Sequence, residues 1–533
     1  MDTELLWDIP ENWVWSKISD LGAVIAGGTP SSKEPNYWGG NINWISPADL
    51  TGYTKKTISK GNKSITEKGL KNSSAKVMPA GSVHFSSRAP IGYVAISAEP
   101  VATNQGFKSL VPEQGVFNEF VYYYLKASKQ LAEKRASGTT FLELSGKAFG
   151  LLPIPIPPTK EQKRIVAKIE ELFSELDNGI AALKTAREQL KVYRQAVLKH
   201  AFEGKLTEQW RKDNADKLES PEQLLARIQQ ERETRYQQQL EDWKTAVKAW
   251  EANGKEGKKP GKPREQKVPT LPSLEEESLP KLPEGWMWVH PEHLMSSTPY
   301  SIGIGPFGSN LKVVDYCESG VPLIFVRNIT RNNFTDDLKY VDVEKSEELY
   351  AHQVEPLDLV ITKMGDPPGD CEIYPVNLPT AVLTADCLKF RVSDEFIDRY
   401  FYKSCINSNL VKRQLGLITR GVAQKKISVD RFKTIVLPLP SKAEQVVIAS
   451  LIQEIFESIN KTEEELSNQL VKAEILRQSI LKKAFSGQLV PQDPSDEPAS
   501  ELLARIQAEK AASDVKAKKT PAKRGRKTKE VNE

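Results

Sequence analysis

The sequence is poor in cysteine, in histidine and in long apolar runs. Its four cysteines, Cys317, Cys371, Cys387 and Cys405, all lie in the second half and never form a CxxC pair, which argues against a zinc site and leaves buried, reduced thiols as the expectation. The five histidines, His84, His200, His290, His293 and His352, show no catalytic pairing and no metal-ligand spacing. No apolar stretch reaches the roughly 18 residues a membrane helix needs. The N-terminus MDTELLWDIP has neither the basic nor the apolar part of a signal peptide, so a cytoplasmic location is expected. Phosphate-loop (GxxxxGKS/T), HExxH and GxSxG motifs are also missing. A net charge of +4 is too small to establish a nucleic-acid partner by itself.

What the sequence does contain is a repeat. With 533 residues, 39% hydrophobic and 27% charged, the chain has room for two or more cores. VLKHAFEGKL, residues 197 to 206, returns as ILKKAFSGQL, residues 480 to 489, at a shift of 283. The same shift carries Gly138 onto Gly421, Phe149 onto Phe432, Pro155 onto Pro438, Glu161 and Gln162 onto Glu444 and Gln445, and Arg194 onto Arg477. LLARIQ at 224 recurs at 502, and IPENWVW at 9 answers LPEGWMW at 282. The chain is therefore two copies of one unit, each a variable segment followed by a better preserved one.

The preserved segments read as long helices. Residues 161 to 202 contain no proline. One heptad register collects Ile165, Ile169, Leu172, Leu176, Leu183, Ala186, Leu190, Tyr193 and Val197, with Gly179 as an exception. Transferred to the second copy, it gives Ile448, Ile452, Ile455, Ile459, Leu466, Ala473, Leu476 and Ile480, with Thr462 and Gln469 as polar breaks. Thr159 and Ser441 are the expected N-caps, and Gly204 and Gly487 the left-handed terminators. A long helix with so narrow a seam wants a helical partner, and the preferred arrangement is an antiparallel pair.

The variable segments, residues 1–150 and 282–435, mix short β-rich runs with Gly, Pro, Asn and Ser turns and one helical stretch, the pattern of α+β domains. Residues 151–207 and 436–490 hold the proline arms and long helices. A charged helical piece and a disordered linker are expected at 208–281, and a short helix with a basic disordered tail at 491–533.

Two catalytic-looking stretches fail on context. GIGPFG at 303–308 satisfies GxGxxG, but no convincing strand precedes it and no long helix follows. DPPG at 366–369 has Gly369 where a base-gripping Asp-Pro-Pro motif carries an aromatic ring, and a turn is the simpler account. Local charge points elsewhere. Between Thr54 and Lys76 there are seven lysines, Lys55 and Lys56 among them, and one acid, Glu67. From Arg420 to Lys433 there are five basic residues against Asp430, and eight lie between Val515 and Lys529 with no acid. Such runs supply phosphate affinity, and interleaved Ser, Thr and Asn can read base edges.

AGGTPSSKEPNYWGGNINWISPADL at 26–50, SSRAPIGYVAI at 86–96, GPFGSNLKVVDY at 305–316, the LPIPIPP and VLPLP arms with their EQ, and the two helix ends together resemble the specificity subunit of type I restriction-modification enzymes. The resemblance spans nearly the whole chain and departs where LTEQWRKDN becomes LVPQDPSDE. It implies two target recognition domains in tandem pseudo-repeat, separated by two long helices forming an antiparallel coiled coil. Each domain would read half of a split, asymmetric double-stranded DNA target. The coil would act as a ruler and dock two methyltransferase subunits, with restriction (motor-nuclease) subunits joining for cleavage. S-adenosylmethionine, ATP and Mg2+ would belong to those partners, with no cofactor bound by this chain and no catalysis by it. DNA contacts are expected from Lys55, Lys56, Ser86, Ser87, Arg88, Thr139 and Thr140 in the first domain. In the second they are expected from Thr362, Lys363, Arg420, Gln424 and Lys425. Pairing of Arg88 inside its own domain stays open, as do a free-standing DNA-binding regulator and an enzyme using GIGPFG or DPPG.

Overall fold

The two proline-free stretches form helices of 44 residues each. The computed structural model describes residues 7–88, 90–138, 142–263, 265–267, 269–272, 279–365, 368–419 and 426–519. Its principal helices are α1 (Asn118–Ala127), α2 (Lys129–Lys134), α3 (Thr159–Phe202), α4 (Pro221–Ala252), α5 (Arg399–Ile406), α6 (Asn409–Ile418), α7 (Lys442–Phe485) and α8 (Ala499–Lys519). The chain forms two compact units, residues 1–184 with 467–533, and residues 185–466. Each therefore holds one variable segment, the start of that segment's own long helix and the end of the other copy's.

The strands of the first unit are β1 (Val14–Lys17), β2 (Gly22–Ala26), β3 (Trp38–Ile45), β4 (Thr57–Ile58), β5 (Lys63–Ile65), β6 (Val83–Ser86), β7 (Val94–Ser97), β8 (Ala102–Thr103), β9 (Phe107–Pro112) and β10 (Pro153–Ile156). They build a five-stranded sheet, β2-β9-β6-β7-β4, a three-stranded sheet, β5-β3-β8, and a ribbon in which β1 pairs with the proline arm β10. Prolines 153 and 155 fit there because a two-stranded ribbon leaves outward backbone positions that need no N–H donor. The core packs Phe85, Phe120 and Phe149 against Ile165 and Ile169 of α3, Leu481 and Phe485 of α7, and Leu502 and Ile506 of α8.

The second unit repeats this plan with β11 (Met287–Val289), β12 (Ile302–Ile304), β13 (Val321–Ile324), β14 (Lys339–Val341), β15 (Gln353–Val354), β16 (Leu359–Thr362), β17 (Cys371–Ile373), β18 (Ala381–Leu383), β19 (Cys387–Phe390) and β20 (Leu437–Leu439). Its sheets run β12-β19-β16-β17 and β14-β13-β18-β15, and β11 pairs with β20. Trp288 faces Pro438 as Trp15 faces Pro155 in the first unit. Phe390, Phe401 and Phe432 form the core with Leu198 and Phe202 of α3, Ile448 and Ile452 of α7, and Leu224 and Ile228 of α4. The two LLARIQ copies thus do the same job, each closing the core of one unit.

Within each unit the long helices run antiparallel. In the first, Arg477 meets Phe173 and Asp177, while earlier residues of α3 share a core with later residues of α7. In the second, Arg194 meets Phe456 and Glu463, while Leu198 and Phe202 share a core with Ile448 and Ile452. The expected seam is only partly right. Ile165, Ile169, Val197, Ile448, Ile452, Ile459 and Ile480 are buried, and Leu172, Leu176, Leu183, Leu190, Ile455 and Leu466 are half-buried. Tyr193 and Leu476, equivalent positions, are 52% and 51% exposed. A straight helix drifts by about 20° per heptad against a 3.5-residue repeat. At the far ends the buried face has accordingly moved on to Leu198, Ala201 and Phe202, and to Leu481, Ala484 and Phe485.

The preserved residues at the helix starts are tied down. The Ser441 hydroxyl caps α7 by accepting the Glu444 N–H at 3.3 Å. Thr159, in contrast, is the first helical residue of α3, and its hydroxyl donates to the Gly115 carbonyl at 2.9 Å. Gln162 accepts from the Phe117 N–H and donates to the Pro157 carbonyl, and Gln445 repeats the pattern with Asp398 and Pro440. The buried Glu444 carboxylate receives Trp286, Thr207 and Arg211. Glu161, its counterpart, has Gln492 in place of an arginine, and burial pushes its pKa up. This is the structural expression of LTEQWRKDN having become LVPQDPSDE.

Among the described residues of the segment expected to be a disordered linker there is no helix or strand after α4, yet several of them are packed. Trp243 donates to the Pro260 carbonyl at 3.0 Å, Gln266 to the Ser297 carbonyl at 3.3 Å, and His293 Nε2 lies 3.1 Å from the Pro269 carbonyl oxygen. Helix α8 runs to Lys519, so the first residues of the expected basic tail have helical backbone, and the rest lie outside the described residues.

Candidate nucleic-acid interface

In the first unit the loop after β2 lies backbone to backbone on the turn that precedes β9. Gly27 and Gly28 donate to the Phe107 and Thr103 carbonyls at 3.2 and 2.8 Å, and a Cβ at Gly27 would fall 1.9 Å from the Asn104 oxygen. Lys108, nearly buried on β9, extends its ammonium to the Gln105 carbonyl, the Ser87 hydroxyl and Glu143 Oε1, each at 3.2 Å. Arg88 pairs with the same carboxylate at 3.7 Å, with 37% of its side chain exposed against 41% for Glu143. Two cations thus share one acid at an open position.

The second unit has the same framework with different chemistry. Gly305 donates to the Cys387 carbonyl at 3.2 Å, and a Cβ there would fall 2.0 Å from the Thr384 oxygen. The equivalent of Lys108 is Leu388, so the ammonium comes from Lys363 instead, at the position of Ser87, and donates to the Ala385 carbonyl at 3.1 Å. Burial lowers the Lys363 pKa, while Asp386 opposes the shift. Where the first unit bridges Arg88 to Glu143, the second bridges Met364 to Lys426.

The expected contact residues separate on this geometry. Arg88 and Lys363 line the position just described, and Lys55 is exposed. Lys56 is held inside the first unit by Glu119 and by Glu170 at 2.6 Å. Burial opposes its charge, but these two carboxylates outweigh it and hold the pKa above the ordinary lysine value. Ser86 is buried, donating to the Pro90 carbonyl and accepting from the Tyr93 N–H, and Ser87 donates to the Gly106 carbonyl at 3.0 Å. The Thr362 hydroxyl accepts from the Gly369 and Asp370 N–H groups. These three hydroxyls shape the loops rather than face outward. Thr139, Thr140, Arg420, Gln424 and Lys425 lie outside the described residues. Lys108, Glu143 and Phe307 were not anticipated. Lys108 and Glu143 are 35 residues apart without a motif, whereas Phe307 lies in the GIGPFG loop between Pro306 and Gly308.

No helix follows GIGPFG, only the single 3-10 turn Val313–Asp315, so the loop offers no helix N-terminus to a pyrophosphate. Asp366 and Pro367 of DPPG lie outside the described residues. Among the described residues no three His, Cys, Asp or Glu side chains cluster as a metal site, and no helix is long and apolar enough to cross a membrane.

The description "Type I restriction modification DNA specificity domain" matches residues 10–185 and 360–472, more than half of the chain. The chain belongs to that family. It is a specificity subunit, a DNA-recognition component and not a catalytic one, and the regulator reading is not favoured. It is 25% identical to the EcoKI specificity subunit of Escherichia coli strain K12 over 95% of this chain and 97% of that one. It is 40% identical to the MjaIX specificity subunit of Methanocaldococcus jannaschii over 36% of this chain and 44% of the relative. The HsdS subunit of Thermoanaerobacter tengcongensis superposes with a TM-score of 0.50 at 16% identity, covering 91% of this chain and all of that one. A chain from a type I restriction-modification assembly gives 0.61 at the same identity and coverage. These superpositions establish the fold of the specificity subunit: tandem α+β recognition domains with long antiparallel helices.

Proposed function

We propose that this specificity subunit reads a split, asymmetric DNA target, one half in each recognition domain, and scaffolds two methyltransferase subunits together with restriction subunits. The observation that carries the reading is the shared framework with unlike side chains. Arg88 and Glu143 stand where the other domain has Met364 and Lys426. A guanidinium donates to guanine, a carboxylate accepts from the cytosine amino group, and an ammonium serves guanine or phosphate, so the two positions select different edges. Two copies of one partner are supported by a repeated apolar patch. Val192 and Tyr193 are 70% and 52% exposed, and their equivalents Ile475 and Leu476 are 62% and 51% exposed. Adenine methylation and ATP-driven cleavage, with S-adenosylmethionine, ATP and Mg2+, are assigned to the partner chains, and the assembly to the cytoplasm.

Methylome sequencing of cells expressing the chain with its methyltransferase partner tests this. One bipartite motif with two unlike halves is expected. A palindromic or undivided motif would sink the proposal, as would a partner ratio other than two to one on co-purification.

A further inference from the structure

Phe307 differs from the other described phenylalanines of its domain. Phe390, Phe401 and Phe432 are fully buried, but Phe307 is 64% exposed on the loop that packs against the turn before β19. The loop is anchored. Gly305 abuts the Thr384 backbone, His352 Nδ1 donates to the Ile304 carbonyl at 2.6 Å, and the Asn310 N–H closes a turn onto the Phe307 carbonyl at 2.8 Å. The Lys363 ammonium lies 5.2 Å from the ring centroid, so a cation backs one side of the ring. In the first domain the residue two beyond the equivalent Gly27 is Thr29. Phe307 is thus a feature of one repeat only, unlike the apolar patch at Val192 and Ile475. A surface for a partner that binds twice would appear in both copies.

We infer that Phe307 is a DNA wedge, inserting its exposed ring into one base step of the second half-site with the Lys363 ammonium behind it. The inference rests on the recognition reading of this domain. A rigid, protruding apolar ring beside a cation suits that role. The ring replaces part of the base stacking it disrupts, and the buried Lys363 ammonium, held by the Ala385 carbonyl at 3.1 Å, backs the ring from the protein side. Because the cation backs one side of the ring, only the other is open to stack on a base. The first half-site, facing Thr29, is read without such an opening.

The test uses the complex of the chain with its methyltransferase subunits and a duplex carrying the bipartite sequence found by methylome sequencing. Bases of both half-sites are replaced singly by 2-aminopurine or pyrrolocytosine. The expected result is a severalfold fluorescence rise at one step of the second half-site, apart from the methylated adenine. Phe307→Ala should abolish it and Phe307→Trp should keep it, while the melting temperature of the protein stays unchanged. A rise that survives Phe307→Ala, or no rise outside the methylated adenine, overturns the wedge. So does a Phe307-dependent loss of affinity on replacing a single thymine by uracil, which would mark a methyl contact. Failure of the wild-type complex to bind or methylate the duplex defeats the recognition reading itself, and the wedge with it. Normal binding and methylation without a Phe307-dependent signal defeats the wedge alone.

Discussion

Arg477 places its guanidinium 4.5 Å from the ring centroid of Phe173 and bonds Asp177, and Arg194 stands in the same way 5.2 Å from Phe456 and bonds Asn460 and Glu463. Every residue of the second set is the repeat equivalent of one in the first, except Glu463, and the partners are exchanged between copies. Each unit is therefore closed by an arginine from the end of one helix on an aromatic ring near the start of the other. Arg477→Ala is expected to cost about 1 kcal/mol, since both the cation–π and the exposed ion-pair contributions are modest. Hydrogen exchange checks it: amides of α3 near Phe173 should lose protection and those near Val197 should not.

Gly204 and Gly487 end α3 and α7 at φ of +69° and +75°. A Cβ there would lie 2.4 and 2.3 Å from the Cγ atoms of Pro283 and Pro10, so each helix end packs on the segment that leads into a Trp-containing strand. Gly487→Ala should destabilise by more than the roughly 1 kcal/mol of left-handed strain alone. Gly254→Ala, at the same φ of +75° with nothing within 4 Å, is the control and should show the strain alone. Equal melting temperatures for the two variants would refute the close approach.

His84 is buried on β6 with Nδ1 2.9 Å from the Ser109 hydroxyl, and burial pulls its pKa down from 6.5 to about 4. The folded state keeps the ring neutral where the unfolded chain takes up a proton. Its stabilising effect is complete above pH 6.5 and is lost as pH falls toward about 4, up to about 3 kcal/mol at one proton per site. His84→Gln should flatten the dependence of unfolding free energy on pH between these limits, measured by urea titration.

Arg88→Ala should remove selectivity at one position of the first half-site by about 1–3 kcal/mol and leave the second untouched. Unchanged selectivity with a lower melting temperature would instead make the Arg88–Glu143 pair purely structural. Competition methylation with single-base variants of the target distinguishes these outcomes.

Four residues inserted at Gly179 of α3 and at the equivalent Thr462 of α7 add about 6 Å to each helix. The spacer tolerated between half-sites should lengthen while the half-sites stay the same. A methylome with an altered half-site and an unaltered spacer would refute the ruler role.

Much of this protein is legible as a repeat because helices are local. Spacing, absence of proline and a terminal glycine are enough to read two helices of equal length, since each turn is decided by residues within four positions. The same shift foretells two similar domains. The seam was misread at Tyr193 and Leu476 because a heptad count has no means of knowing where the partner helix gives way to a globular core. The candidate interface was less legible still. Lys56 sits in a lysine run that reads as a phosphate patch, yet its charge is met by Glu119 and Glu170, 63 and 114 residues away. Lys108 and Glu143, without any motif, meet beside Arg88.

The sequence by itself determined the duplication, the long helices and the glycines Gly204 and Gly487 that stop them, because backbone conformation answers to nearby residues. Only the tertiary structure decided that each unit is closed by the other copy's helix, that three expected hydroxyls shape loops, and which cations remain open to solvent. Those outcomes depend on burial and on charges brought together across hundreds of residues, and neither is encoded at any single position.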